Sequence, residues 1–398
     1  MKTISNTISS FLEQPSKSKK MLIIYAIQSL AGGMAFYFAF FLGSLKFSPQ
    51  IIGFIVSGMA VGNIVGAFVM GKMSDRTNPF YSSYLSLLFQ GVSYILLALT
   101  KSPFIIGISM FLLGASSYAY MAVSEYAITS FSGQDERKRA CALSLQNVAS
   151  NIGTLVGGII IASVSEKLAF NVFVCTGIML IIFSLYFRFE NKRAGFYIEK
   201  KTCSKQTNED KHLYTYSLFF IFILGIIFAQ QRVGYPIFLK ENAGKGFIDL
   251  ILTVNALLII TFMTTVSNIL VKKNHLLVMG LGVALLGCGM FLFYFIQNLT
   301  GILLICIGVT LGEMICILLA QLICFQSVKD GKQGKAMGAF KGFYALGTII
   351  GASLGGVLQN RYGINAVWEL CGVLGVSMFI ICYLFNFYRI KSFSLLKS

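Results

Sequence analysis

A carboxylate in the middle of an apolar run is costly, and this chain places one at Glu313, among Leu, Ile, Cys and Met. Such a group reads as the leading site for a proton or a cationic substrate. Its bland alternative is a helix-packing Glu, held neutral or paired with Lys341. Polar side chains at comparable depth, Gln28, Asn147, Asn151, Asn255 and Gln321, would line the same cavity or serve as interhelical hydrogen bonds. A second constellation is Gly71-Lys72-Met73-Ser74-Asp75-Arg76-Thr77-Asn78, between two apolar runs. Gly71 permits close helix packing, Asp75 accepts hydrogen bonds or faces a helix N-terminus, and Arg76 pairs with carboxylates or lipid phosphate. A third is Gln230-Gln231-Arg232-Val233-Gly234-Tyr235-Pro236. Pro236 breaks a helix and frees carbonyls that need protein or water around them, which marks a cavity wall or outer gate. Arg232 there either snorkels to the interface or faces the cavity and draws anionic substrates.

Other chemistries find no support. Both histidines, His212 and His275, fall at the starts of apolar runs, so a buried His relay is not expected. No GxxxxGK[ST] phosphate cradle occurs and no loop is long enough for an ATPase domain, so energy must come from a gradient or a partner. The nine cysteines include no CxxC pair, which argues against a disulfide framework or a zinc site and leaves them as packing residues. No enzymatic activity, metal or cofactor is expected.

The elements that must position these residues are membrane helices. Of 398 residues, 56% are hydrophobic and 12% charged, too little polar surface for a water-soluble fold. Apolar runs of about 20 residues, the length that crosses a ~30 Å hydrocarbon layer as a helix, recur along the chain. Twelve are expected, near 21–45, 50–71, 80–100, 103–131, 141–163, 168–189, 213–239, 247–271, 275–297, 300–326, 334–359 and 363–388. The first is too long for a cleavable signal and should be retained. The +17 charge raises nucleic acid as a partner, but most Lys and Arg fall on one side of these spans when the N-terminus is cytoplasmic. Both termini are therefore expected in the cytoplasm, with the lipid bilayer rather than nucleic acid as the partner. A polar stretch, 190–212, separates two sets of six spans, giving an N-terminal leader 1–20, a bundle 21–189, a central loop, a second bundle 213–389 and a tail 390–398. An internal repeat agrees: at one offset of 198 residues, Tyr37 matches Tyr235, Gly114 matches Gly312, Gly133 matches Gly331, Gly153 matches Gly351, and Gly157-Gly158 match Gly355-Gly356.

The stretch from Gly71 to Asn78 resembles the G-x-x-x-D-R-x-G-R-R loop signature of the major facilitator superfamily, with Asn78 in place of the Gly and Pro79-Phe80 in place of the two basic residues. The resemblance extends over nearly the whole chain. It implies an all-α membrane protein with twelve transmembrane helices in two six-helix bundles, a mid-membrane site between them, and alternating access by rocking of the bundles. It also implies a gating role for Gly71, Asp75 and Arg76, with Glu125 completing the charge network and Arg76 as its expected partner. The second-half counterpart, Lys272-Lys273-Asn274, lacks the acid.

Within that superfamily the motifs are similar to those of the drug/proton antiporters. Ala149-x-x-x-Gly153-Thr154-x-x-Gly157-Gly158 and Gly347-x-x-x-Gly351-Ala352-x-x-Gly355-Gly356 are similar to the G-x-x-x-G-P-x-x-G-G element, without its Pro. Their small residues would let helices approach and slide. The run from Gln230 to Pro236 is similar to a stretch in some drug exporters. The antiporters' Arg in span four is absent; Met110 stands at its place. The reading expected is a monomeric inner-membrane transporter, coupled to protons and exporting a small amphiphilic or anionic molecule such as a drug, siderophore or metabolite. An importer of a nutrient or metabolite is the nearest alternative. A non-transporting sensor or scaffold on the same fold is the alternative from another class.

Overall fold

The structure, a computed structural model, describes residues 2–34, 38, 42, 45–164, 166–193, 209–232, 234, 235, 238, 245–296 and 298–395. Tyr37 and Pro236 lie outside the described residues, as does the side chain of Arg232. Among the described residues there are thirteen helices. They are α1 (Lys2–Leu12), α2 (Ser16–Met34), α3 (Pro49–Ser74), α4 (Pro79–Leu99), α5 (Pro103–Phe131), α6 (Glu136–Ala162), α7 (Glu166–Arg193), α8 (Lys211–Arg232), α9 (Lys245–Leu270), α10 (His275–Leu292), α11 (Leu299–Gln326), α12 (Gln333–Tyr362) and α13 (Ile364–Leu395).

The helices start where the sequence supplies caps. Ser48, Asn78, Asn274 and Asn298 each accept a first-turn amide of the helix they open. Pro stands in the first turn of α3, α4 and α5, where its missing N–H leaves no bond unmade. The turns leading into α6 and α12 carry Gly133 and Gly331, which are partners in the repeat and both take φ +86°. Only a residue without Cβ adopts that left-handed backbone at no steric cost.

Eleven of these helices are long and apolar enough to cross a membrane. The first expected span begins in α2 and runs on into residues outside the described set, so the described residues do not carry the count to twelve. Large apolar side chains such as Phe54, 86% exposed, face outward from the helices. That is the surface a lipid-immersed protein presents.

Helix pairing in the first part of the chain is repeated in the second. α2 packs on α6, α3 on α5, and α4 on both α5 and α7; correspondingly α8 packs on α12, α9 on α11, and α10 on both α11 and α13. Buried apolar side chains form two clusters. One draws only on residues between Met21 and Phe187, and the other on residues from Tyr216 to Cys382 joined by Ala140, Leu143 and Val148 of α6. Contacts between the halves run through α3 with α12, α6 with α9, α5 with α12 and α6 with α11. The residues expected as a leader fold as α1 and the first turn of α2.

Candidate functional site

The end of α3 meets the start of α12, and glycines make the approach possible. A Cβ on Gly71 would lie 2.5 Å from the Cα of Gly338 and 2.8 Å from the carbonyl of Gly334. Directly beyond, Asp75 Oδ1 accepts from the amide of Gly334 at 2.7 Å and Oδ2 from the amide of Lys335 at 2.8 Å. These are first-turn amides of α12 that have no partner within their own helix, and they carry the positive end of its dipole. Lys332, the residue before α12, makes no side-chain cap, so the cap comes from the other half of the molecule. Burial pushes the Asp75 carboxyl above its ordinary value, and the two amides with the charge of Lys335 pull it part of the way back. Arg76 is exposed and makes no ion pair among the described residues.

Deeper in, Glu125 Oε1 pairs with Lys341 Nζ at 2.5 Å, both residues buried. The partner is thus Lys341, not Arg76. The reason is depth: Glu125 stands six residues before the end of α5, about 9 Å inside at 1.5 Å per residue, beyond the reach of a residue on the surface turn after α3. Lys341, weighed from sequence as a partner for Glu313, lies more than two turns into α12, which crosses α5. Gln321 on α11 donates from Nε2 to Glu125 Oε1 at 2.8 Å, and Asn147 on α6 donates from Nδ2 to Gln321 Oε1 at 3.3 Å. Asn151 donates to the carbonyl of Asn147 at 2.9 Å. Four helices, two from each half, therefore converge on one buried charge pair. Glu125 Oε2 has no hydrogen-bond partner among the described residues.

Glu313 lies apart from this network, eight residues from Gln321 on the same helix, or about 12 Å along its axis. It is half-buried, and Asn255 on α9 donates from Nδ2 to its Oε2 at 3.1 Å and to Thr310 Oγ1 at 2.9 Å. Lys341 is engaged with Glu125 instead. The other expected cavity residues sit in separate contacts. Gln28 is buried and donates to Gln90 Oε1 at 3.3 Å, close to Ser117. Gln230 is fully buried and donates to the Gly351 carbonyl at 2.7 Å, tying α8 to α12. The Tyr235 ring packs on Phe293 with centroids 4.9 Å apart.

The repeated glycine elements lie within the halves. Gly153 and Gly157 bring the backbone of α6 against the carbonyls of Ala26 and Leu30 on α2. Gly351 meets the carbonyl of Ile226 and Gly355 the Gln230 side chain, both on α8, whereas Gly158 and Gly356 face open space. The glycines that join the halves are Gly71, Gly334 and Gly338, with Gly342 against the Phe68 ring. Sequence reasoning missed the last three and set Lys341 against Glu313 rather than Glu125. The signal was present as Gly334-x-x-x-Gly338-x-x-x-Gly342, one residue every turn along a single face.

Comparison with known proteins places this arrangement. The family model described as Major Facilitator Superfamily matches residues 21–351. The multidrug resistance protein MdtG of Escherichia fergusonii is 26% identical over 166 residues, 41% of either chain. A TsgA homolog of Buchnera aphidicola is 23% identical over 257 residues, 64% of this chain and 58% of that protein. The chain thus aligns with less than two thirds of the length of these relatives. The crystal structure of the human organic anion transporter MFSD10 (TETRAN) superposes with a TM-score of 0.75 at 13% identity, covering 93% of this chain and all of that one. The chain is a multi-span integral membrane protein, and by the family match over most of its length it belongs to the Major Facilitator Superfamily.

Proposed function

We propose that this chain is a secondary active transporter that exports a small amphiphilic molecule by alternating access, in exchange for protons at Glu125. The observation that carries the reading is the buried Glu125–Lys341 pair, which joins α5 of one half to α12 of the other. Two charges removed from water hold together only while each compensates the other, so anything that neutralises one of them weakens the bond between the halves. A proton on Glu125 does so, and a cationic or polar substrate group competing for the same carboxylate makes proton and substrate mutually exclusive. Exclusive occupancy is what exchange requires. One inward charge is worth ~2.3 kcal/mol per 100 mV of membrane potential, enough to support accumulation. The name of the MdtG relatives supports efflux, and the concentration of Lys and Arg at the end of the molecule that holds Asp75 supports a cytoplasmic location for that end and for both termini. The architecture proposed with this reading is a monomer of twelve spans in two bundles, 21–189 and 213–389, linked by 190–212.

The test is uptake into proteoliposomes of a fluorescent lipophilic cation, with and without a proton gradient. Expected is gradient-driven flux that Glu125→Gln abolishes and Glu313→Gln leaves in place. The opposite pattern would move the proton site to Glu313, and wild-type flux blind to the gradient would refute proton coupling. A second reading rests on the same pair. With Glu125 protonated, Lys341 becomes a counter-charge for a substrate carboxylate, and proton and anion then move in the same direction. The likeness in fold to MFSD10, an organic anion transporter, favours an anion. Co-directional flux of a fluorescent carboxylate with protons, lost in Lys341→Met, would select it.

A further inference from the structure

The two seams between the halves are built differently. At the α3–α12 seam, Asp75 caps α12 from the opposite half. At the related α6–α9 seam the described residues show no cap across the halves: α6 is capped by its own Asp135, which accepts from the Arg137 amide, and α9 runs into Lys272-Lys273-Asn274, while Arg137 Nε reaches Asn268 Oδ1 of α9 at 3.5 Å and Glu136 meets His275 of α10 at 3.6 Å. Among the described residues, this seam also carries a helix that its counterpart lacks. The helix α1 packs on both α9 and α6. Thr7 Oγ1 and Thr264 Oγ1, the latter buried in α9, share a hydrogen bond of 2.7 Å. At the other end of α1, buried Gln14 accepts from Ser132 Oγ at 3.1 Å and donates to Cys141 Sγ at 3.6 Å, and Phe11 packs on the first-half core.

We infer that α1 is a clasp across the α6–α9 seam, anchored on the first half through Phe11 and Gln14 and engaging the second half through Thr7, where the turn after α9 carries no counterpart of Asp75. The contact is suited to release. The apolar side chains Ile8 and Leu12 are exposed, 56% and 63%, so they do not bury α1 in the second half. What crosses the seam is a polar bond, which water replaces at small net cost when the halves separate. Alternating access, on which the inference depends for its consequence, requires that kind of reversible contact.

The test uses the full chain with spin labels at Lys138→Cys and Lys272→Cys, both exposed on opposite sides of the seam, in a background with the other reactive cysteines replaced by Ser. In lipid nanodiscs, Thr7→Val is expected to raise the ratio of open to closed seam about fivefold, the effect of one net hydrogen bond. Thr264→Val should do the same, and the double variant no more than either, because both remove one bond. Deletion of residues 2–12 should shift the ratio at least as far. An unchanged distance distribution in Thr7→Val and Thr264→Val would overturn the inference even if the deleted chain fails to fold. A single distance in every variant, Asp75→Ala included, would overturn the clasp together with the alternating-access reading. A two-state distribution that α1 variants leave unmoved would overturn the clasp alone.

Discussion

At the scale of single residues, the charge pair and the helix cap make opposite kinds of contribution. Removing Lys341 strands a buried carboxylate, which costs about 3–5 kcal/mol, whereas replacing both partners with uncharged groups of similar volume is close to neutral. Lys341→Met is therefore expected to lower the apparent melting temperature in detergent sharply, and Glu125→Gln with Lys341→Met to restore most of it; a double variant no more stable than the single would show that the pair is not a mutual compensation. Asp75 acts at the surface of the seam. Asp75→Ala removes two charge-assisted bonds to the start of α12 and is expected to weaken closure by about 1–2 kcal/mol, read as a larger open fraction between labels across that seam. The direction of its titration adds a second signature. Its carboxyl is raised in the closed seam, so the closed form binds a proton more readily than an open form with hydrated Asp75. Closure should thus strengthen as pH falls from the closed-state value toward the ordinary carboxylate range, and Asp75→Asn should flatten that dependence. The sequence made Asp75 legible as an acceptor, since an acid at a helix end one turn after Gly71 can accept hydrogen bonds or face another helix's N-terminus, but it did not name α12. It hid the charge pair, because Lys341 falls inside an expected span without any sign of which carboxylate it meets, Glu313 on α11 or Glu125 on α5.

At the scale of elements, two sets of glycines do different work, and substitutions should separate them. Gly157 lets α6 touch the Leu30 carbonyl of α2 inside one half. Gly157→Val forces those helices apart in any arrangement of the halves, so reduced yield and thermal stability are expected. Gly338 instead receives the Ala67 carbonyl and Gly71 across the seam. Gly338→Val should leave each half intact but prevent closure. Labels across the α3–α12 seam should then report the open distance while the melting temperature falls less than for Gly157→Val. Equal loss of stability with no change in distance would place Gly338 among ordinary packing residues. Helix positions were readable from apolar runs because lipid leaves the backbone few alternatives. Which glycine face joins which helix was not readable, since GxxxG spacing specifies closeness without naming the partner. The sequence pointed to the elements at Gly153 and Gly351 as helix-packing faces, and each packs a helix of its own half.

At the scale of the whole molecule, the halves hold together through contacts that differ in depth: caps and glycines at the helix ends, then the Glu125–Lys341 pair with Gln321 and Asn147 about two turns further in. Such layering lets closure proceed in order. On the alternating-access reading proposed above, surface contacts would assemble while the interior is still hydrated and desolvation of the charge pair would come last, tying full closure to a compensated Glu125. A covalent lock on the outer layer should therefore arrest transport without touching the pair. Cysteines at Lys72 and Lys335, both exposed at the α3–α12 seam, are expected to form a reversible cross-link that halts gradient-driven flux of the cation probe in proteoliposomes, with recovery on reduction. The cross-linked protein should still bind the probe from the opposite face, because the seam would be fixed in its closed arrangement. Undiminished flux through a fully cross-linked population would mean that the halves do not separate at this end during transport, and the rocking mechanism would have to be abandoned for one in which movement is confined within a half.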